Sequence, residues 1–202
     1  MKKALIVAAG NTEGISIEDK YDLVIAADGG YDRALSLGLT PDIFIGDMDS
    51  VKAQVSHIEK IRLNVEKDFT DTEAAIEKAL EMGYESITVI GGIGTRFDHS
   101  MANACLLKKY VSKGREIILK DAHNEMFAFI GSCEIKGRKG DTVSFLPLDS
   151  IVTNVTLEGF YYPLVNTDVK IGETLTVSNI ITEDRAKVTS EKGVLLAIIA
   201  RD

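Results

Sequence analysis

A change of grammar partway along this chain constrains its fold more than any other feature. In the first part, short continuous apolar runs alternate with stretches of helical periodicity. The runs are Ala4–Ala9, Leu23–Ala27, Ile43–Ile45, Ile87–Ile90 and Ile117–Leu119, and Ile61–Val65 reads as a further strand. One helical pattern covers Tyr31–Leu37 and stops at Gly38; a second runs from Asp71 through Ala75, Ile76, Ala79 and Leu80 towards Gly83; a third covers Asp98–Val111 and stops at Gly114. Glycine just past the last periodic residue ends a helix because it enters the left-handed conformation without a Cβ clash. Apolar runs without polar alternation belong to strands buried on both faces, and such strands separated by helices build a parallel sheet. Helical periodicity then disappears. Phe127–Ile130, Thr142–Leu146, Val152–Leu157, Thr174–Val177 and Val194–Ile199 are short β-rich runs punctuated by Gly, Asn and Asp, the pattern of a sandwich or barrel. The expected fold class is α/β: an N-terminal Rossmann-like parallel-sheet domain over residues 1–125, then a C-terminal β-sandwich domain over residues 126–202. Gly140-Asp141-Thr142-Val143-Ser144 is echoed by Gly172-Glu173-Thr174-Leu175-Thr176, which fits either symmetry-related hairpins or chance.

Composition narrows the function classes. Apolar residues make up 45% of the 202, enough for a real core, and the net charge is -8. Without a basic footprint, nucleic acid is not an expected partner. Met1–Val7 opens like a signal peptide, but the apolar run ends at Gly10-Asn11-Thr12-Glu13, so a buried first strand is expected. Val194–Ala200 is far shorter than the ~20 residues of a membrane helix. No membrane partner is expected, and the expected location is cytoplasmic. The two cysteines, Cys105 and Cys133, read as reduced structural thiols rather than a disulfide.

Acidic residues and glycines collect where strands end. In an open parallel sheet, ligands bind beyond the carboxyl ends of the strands. Asp28-Gly29-Gly30 follows Leu23–Ala27; Gly46-Asp47-Met48-Asp49-Ser50 follows Ile43–Ile45; Lys67-Asp68-Phe69-Thr70-Asp71 follows Ile61–Val65; and Gly91-Gly92-Ile93-Gly94-Thr95-Arg96-Phe97-Asp98-His99 follows Ile87–Ile90. Asp47 and Asp49 face the same way if the segment is extended. Two carboxylates roughly 6 Å apart at an effective dielectric near 20 repel by about 3 kcal/mol. Asp28, Asp71 or Asp98 would add to that, so the cluster needs protons or a cation. Mg²⁺ suits hard oxygen ligands with no Cys–His set beside them.

Each piece also has a plainer reading. Asp47 and Asp49 serve equally as turn residues, and Asp71 as an acid in the first turn of a helix. Thr70 and Glu73 have capping-box spacing. The glycines before Arg96 permit close approach of a phosphate, which Arg96 would grip with paired donors, or they simply form a turn. The run matches neither the Walker A nor the dinucleotide spacing. His99 reads as a helix-start residue bonding locally rather than a catalyst.

Taken together, the motifs resemble one family. Ala26-Ala27-Asp28-Gly29-Gly30, Pro41-Asp42, Ile45-Gly46-Asp47-Met48-Asp49-Ser50, Lys67-Asp68-Phe69-Thr70-Asp71 with Glu73, and Arg96-Phe97-Asp98-His99 with Ala102-Asn103 are similar in order and spacing to thiamine pyrophosphokinases. Gly159 with Pro163-Leu164, and Ser178-Asn179, resemble that family's thiamine-binding domain. The resemblance implies an ATP- and Mg-binding catalytic domain, a β-sandwich that binds thiamine, and a homodimer with sites at the subunit interface. It implies transfer of pyrophosphate from ATP to the hydroxyl of thiamine, with release of AMP. By resemblance, Asp47, Asp49 and Asp71 hold Mg²⁺, and Asp28, Gly29, Gly30, Gly92, Arg96 and Asn124 bind the nucleotide, with Asp121 a further family-like position. Asp98, Ser178 and Asn179 meet the substrate, and Asp71, Asp98 and Arg96 carry catalysis, with Asp71 or Asp98 as proton acceptor.

Two departures stand out. Gly94-Thr95 precedes Arg96 where many members carry a second glycine. Ile180 and Ile181 follow Ser178-Asn179 where some members carry an aromatic that stacks on thiamine, and there is no tryptophan. Tyr161 or Tyr162 could supply the ring, thiamine should bind about tenfold more weakly, and Ile181→Trp should restore affinity if the ring fits. Three rivals remain: pyrophosphoryl transfer to another small alcohol such as a hydroxymethylpterin, a Mg-dependent phosphohydrolase, and a non-catalytic nucleotide-binding module.

Overall fold

The computed structural model describes residues 2–47, 58–64, 66–94 and 96–201. Asp49 of the expected metal set and Thr95 of the glycine-rich run lie outside the described residues. The chain is mixed α/β and divides into two compact units: residues 1–106 with 115–122, and residues 107–114 with 123–202.

In the first unit the strands are β1 (Lys3–Val7), β2 (Leu23–Ala27), β3 (Ile43–Gly46), β4 (Glu59–Arg62), β5 (Ser86–Ile90) and β6 (Glu116–Lys120). They lie side by side in the order β6-β5-β1-β2-β3-β4, and every pairing is parallel. The apolar runs of β1, β2, β3 and β5 are covered almost completely, as unalternating strands require. Strand order reverses at β1, which has β2 on one side and β5 on the other. Register aligns Val7 with Ala26 and with Ile90, and Ala27 with Ile45. The carboxyl ends of β1, β2, β3 and β5 therefore open onto one edge, the position where an open parallel sheet binds ligands.

Helices α1 (Gly30–Ser36), α2 (Asp71–Glu81) and α3 (Phe97–Val111) follow β2, β4 and β5 in the chain. Thr72, Ala75, Ile76 and Ala79 of α2 are buried at helical spacing, and full burial of a side chain such as Ile76 contributes about 1.5–3 kcal/mol. Thr70 caps α2, its hydroxyl accepting from the Glu73 N–H at 3.1 Å, as the capping-box spacing predicts. Gly38, Gly83 and Gly114 all take positive φ just past their helices. Leu5, Val7, Ala34 and Ile90 form a core with the half-buried Ile15, Ile17, Tyr21 and Val24, and Tyr31 meets Phe44 edge-on at 6.1 Å.

The second unit is antiparallel. It contains β7 (Asn124–Ile135), β8 (Thr142–Pro147), β9 (Ile151–Glu158), β10 (Leu164–Lys170), β11 (Asn179–Ile180) and β12 (Ala186–Ala200). β12 pairs with β7 along both of its halves, with β9 mainly in its first half and with β8 in its second. The register shifts between Thr189 and Val194, where Gly193 has φ +97°. A Cβ there would meet Val152 Cγ2 at 2.9 Å and the Ile151 carbonyl at 3.0 Å. Only glycine lets the strand change partners so closely over β9. Phe129, Phe145 and Phe160 form an edge-to-face chain through the core.

Thr174–Val177, expected as a strand, is a turn segment. Thr176 is buried, its carbonyl accepting from Phe145 N–H at 2.9 Å and its hydroxyl donating back to the Phe145 carbonyl. Its apolar neighbours Leu175 and Val177 are exposed. Two strands were not expected: the two-residue β11, and β10, whose polar Asn166, Thr167 and Asp168 and two register shifts hide any period-two signal. The echo at Gly140 and Gly172 marks two positive-φ turns, one leading into β8 and the other into the turn segment, so it is not a repeated hairpin.

Candidate active site

The loops at the β1, β2, β3 and β5 ends form a cleft of about 480 Å³ with the start of α2 and the first turns of α3. That volume lies within the roughly 300–1,000 Å³ range of small-ligand pockets. Among its lining residues are Asp28, Asp47 and Asp71, the cations Lys67 and Arg96, and the backbone of Gly91, Gly92 and Gly94.

Close backbone approach shapes the floor. Gly10 N–H donates to the Gly91 carbonyl at 2.9 Å. Gly91 has φ +66°, and a Cβ on it would stand 2.3 Å from the Ala8 carbonyl. The β1 and β5 loops thus close on each other only because both are glycine-rich. Side chains from α3 hold the rest of the run. Ser100 Oγ accepts from Gly94 N–H at 3.0 Å, and buried Asn103 donates to the Gly92 carbonyl at 2.8 Å.

The charged groups arrive paired. Lys67 Nζ lies 2.8 Å from Asp71 Oδ1, with side chains only 13% and 28% exposed. Arg96 grips Asp98 with two donors, Nη2 to Oδ2 at 2.6 Å and Nε to Oδ1 at 3.2 Å. That pair is in solvent. The Arg96 bonds, then the His99 backbone N–H, hold the Asp98 carboxyl at about 2, well below the usual carboxylate range.

The expected site residues fall into three groups. Asp28, Asp47, Asp71, Gly92 and Arg96 all line the cleft. Asp28 does so from φ +51°, a left-handed conformation uncommon for a residue with a Cβ and concentrated at functional sites. Asp98 stands beside the cleft on Arg96. Gly29 and Gly30 are not among the lining residues: Gly29 caps α1, and a Cβ on Gly30 would come within 1.9 Å of the Val7 carbonyl. Packing therefore requires the glycine at position 30. Asn124, Ser178 and Asn179 belong to the second unit. Asn124 opens β7 opposite Ala200. Lys67, Ser100 and Thr72 line the cleft without having been given a site role. Lys67 had one sequence signal, its place four residues before Asp71.

In the second unit, Ser178 is exposed at φ +57°. Asn179 is 2% exposed, and its amide serves the neighbouring backbone. Oδ1 accepts from Tyr162 N–H and Ile180 N–H, both at 2.9 Å, and Nδ2 donates to the Tyr162 carbonyl at 2.7 Å. One amide donor is left for any substrate. The clamp fixes Tyr161 and Tyr162, whose exposed rings meet edge-on at 4.8 Å. Ile181 is buried in the core with its Cδ1 2.4 Å from where a Gly137 Cβ would be. The expectation that Ile181→Trp supplies a stacking wall is therefore overturned: an indole there would overpack the core.

Among the described residues, no group of three His, Cys, Asp or Glu side chains is assembled as a metal site. Asp47 and Asp71 offer hard oxygens in one cleft, and the remaining expected ligand, Asp49, is outside the described residues. The donor chemistry fits Mg²⁺.

Residues 16–119 match the thiamin pyrophosphokinase catalytic domain, and residues 132–195 match the vitamin B1 binding domain of the same enzymes. The thiamine pyrophosphokinase of Bacillus subtilis is 34% identical over 214 residues, covering all of both chains. A crystal structure of that enzyme superposes with a TM-score of 0.88 at 31% identity, again over both whole chains. The thiamin pyrophosphokinase of Geobacillus thermodenitrificans gives 0.88 at 28% identity, covering 99% of this chain and 98% of that one.

Proposed function

The chain belongs to the thiamin pyrophosphokinase family, and on that premise we propose that it transfers the pyrophosphoryl group of ATP to the hydroxyl of thiamine, giving thiamine diphosphate and AMP. The observation that carries this reading is the meeting of three carboxylates, two cations and a glycine-rich backbone in one cleft at the strand ends. Pyrophosphoryl transfer needs charge neutralisation and an in-line approach more than covalent help. Those residues are suited to supply both.

In this reading residues 1–125 form a Rossmann-like catalytic domain that binds ATP and Mg²⁺, and residues 126–202 form a β-sandwich that binds thiamine. Asp47, Asp49 and Asp71 hold the metal, which when bound neutralises phosphate charge. Asp28 and the Gly91–Gly94 backbone border the nucleotide phosphates. Arg96, released from Asp98, stabilises charge on the transferred group, and Asp98 then stands free at the cleft to meet the thiamine hydroxyl. Either Asp98 or Asp71 accepts its proton as AMP departs. Ser178 and the ring pair Tyr161–Tyr162 contact thiamine, with Asn179 holding the pair in place. The enzyme is a cytoplasmic homodimer whose sites are completed across the subunit interface. Support for a partner surface comes from Tyr161, Tyr162, Val165, Ile171, Leu175 and Val177, large apolar residues left exposed within one short stretch, a signature of an interaction face.

The test is AMP release from ATP and Mg²⁺ with thiamine, with a hydroxymethylpterin, or with no acceptor. Thiamine should give the highest kcat/KM. A tenfold preference for the pterin would leave only the reaction class standing. AMP release independent of any acceptor would replace transfer by hydrolysis.

A further inference from the structure

Among the described residues, Lys67 is the one cleft cation shielded from water, and its pairing with Asp71 has a consequence for how the site is loaded. We propose that Lys67 is an exchangeable counter-ion: in the nucleotide-free cleft it neutralises Asp71, and when nucleotide and metal enter it passes to a phosphate oxygen and frees Asp71. The proposal rests on the metal and nucleotide reading of the same cleft.

Three observations carry it. First, the contact is close and sheltered, 2.8 Å with the lysine side chain 13% exposed, whereas the Arg96–Asp98 pair stands in solvent. Secondly, the local fold does not need it. Thr70 already caps α2 through Glu73 N–H, and an acid in the first helical turn is stabilised by the helix dipole without a lysine. Lys67 lies outside the helix in a loop segment, so its pairing with Asp71 is not a helical i,i+4 pair. Thirdly, both groups face the cleft, not the core. A divalent cation on Asp71 would stand within ion-pair range of the ammonium, and like charges at that range repel. Metal and lysine therefore compete for one carboxylate. A lysine suits the exchange because its charge rides on a flexible stem with three donors and no acceptor, and an incoming polyphosphate offers it new oxygens as the metal takes its place. The step moves charges between partners and breaks no covalent bond.

The prediction has opposite signs in two measurements, which a merely structural lysine would not produce. In Lys67→Met, Mn²⁺ binding without nucleotide, followed by the electron paramagnetic resonance of free Mn²⁺, should tighten about tenfold. Binding of α,β-methylene-ATP at saturating Mg²⁺, followed by calorimetry, should weaken about tenfold. Lys67→Gln should show the same signs and serves if the methionine variant does not fold. Mn²⁺ affinity that is unchanged or weaker in a folded variant, or nucleotide affinity that is unchanged, overturns the exchange. If the unaltered protein binds Mn²⁺ neither alone nor with the nucleotide analogue, the metal reading falls and the exchange with it. Mn²⁺ binding with nucleotide in the unaltered protein, together with no change on substitution, removes the lysine proposal alone.

Discussion

Asp98 and Arg96 stand two residues apart in the motif, and the structure pairs them with each other. The carboxyl is held at about 2, first by the Arg96 bonds and then by His99 N–H. Because its folded value is depressed, the pair is intact above the ordinary carboxylate range and is lost only as pH falls towards 2. In Arg96→Gln the Asp98 titration, followed by carboxyl-carbon NMR, should rise towards the usual ~3.9. A value that stays near 2 would assign the shift to the backbone N–H instead. At this scale the acids were legible because strand ends in a parallel sheet select ligand positions, and Asp28, Asp47 and Asp71 do share one cleft. The residues that hold the backbone were not. Asn103 sits eleven positions after Gly92 on a helix pattern that explains it as well as any polar residue. Asn179 entered the substrate set by resemblance, and the sequence carries no mark of the backbone bonds its amide makes. Its partner, Tyr162, is 17 residues away.

At the scale of elements, periodicity found every helix, and continuous apolar runs found β1, β2, β3, β5 and β6; the expected strand Ile61–Val65 met β4 only at Ile61 and Arg62, because Glu59, Lys60 and Arg62 leave β4 mostly exposed. The antiparallel unit was less readable. β7 continues through Gly131 and Ser132, which look like a break, and β12 runs fifteen residues through Gly193. In both, a partner strand overrides local propensity. The β8–β9 turn shows how such a strand is fixed. Asp149 accepts from Val194 N–H at 2.9 Å, just past the Gly193 shift, and from Lys108 Nζ at 2.7 Å, while Lys108 also reaches the Leu148 carbonyl at 2.9 Å. Lys108, then the Val194 N–H, lowers the Asp149 pKa. Its stabilising contribution is present above the unfolded value near 4 and fades as pH drops through the lowered one. The pair is substantially exposed, so Lys108→Met should cost only about 0.5–1 kcal/mol, a Tm loss of about 1–3 °C. The difference should be full at pH 7 and narrow in strong acid. A loss that grows on acidification would contradict this role for Asp149.

At the scale of the molecule, the two units contribute different chemistry. The acids, the cations and the cleft glycines belong to the first unit; the ring pair and the Asn179 clamp belong to the second. If sites are completed across a homodimer, one subunit's acids serve with its partner's rings, and defects in the two units should complement. Asp47→Asn removes a cleft carboxylate and, by analogy with other transition-state stabilisers, should lose on the order of 10²–10³ in rate. For the second subunit, Asn179 is the wrong choice, because a buried amide with three backbone bonds also supports the fold, and losing such bonds costs about 1–3 kcal/mol each. Ser178→Ala with Tyr162→Ala changes exposed residues and spares the core. After the two inactive proteins are mixed and subunit exchange is verified, half of the subunits are expected in hybrid dimers, each with one intact site and one doubly defective site. About a quarter of the unaltered activity should then return. A site contained in one subunit leaves both kinds of site defective in every hybrid, and the mixture would be no more active than its components.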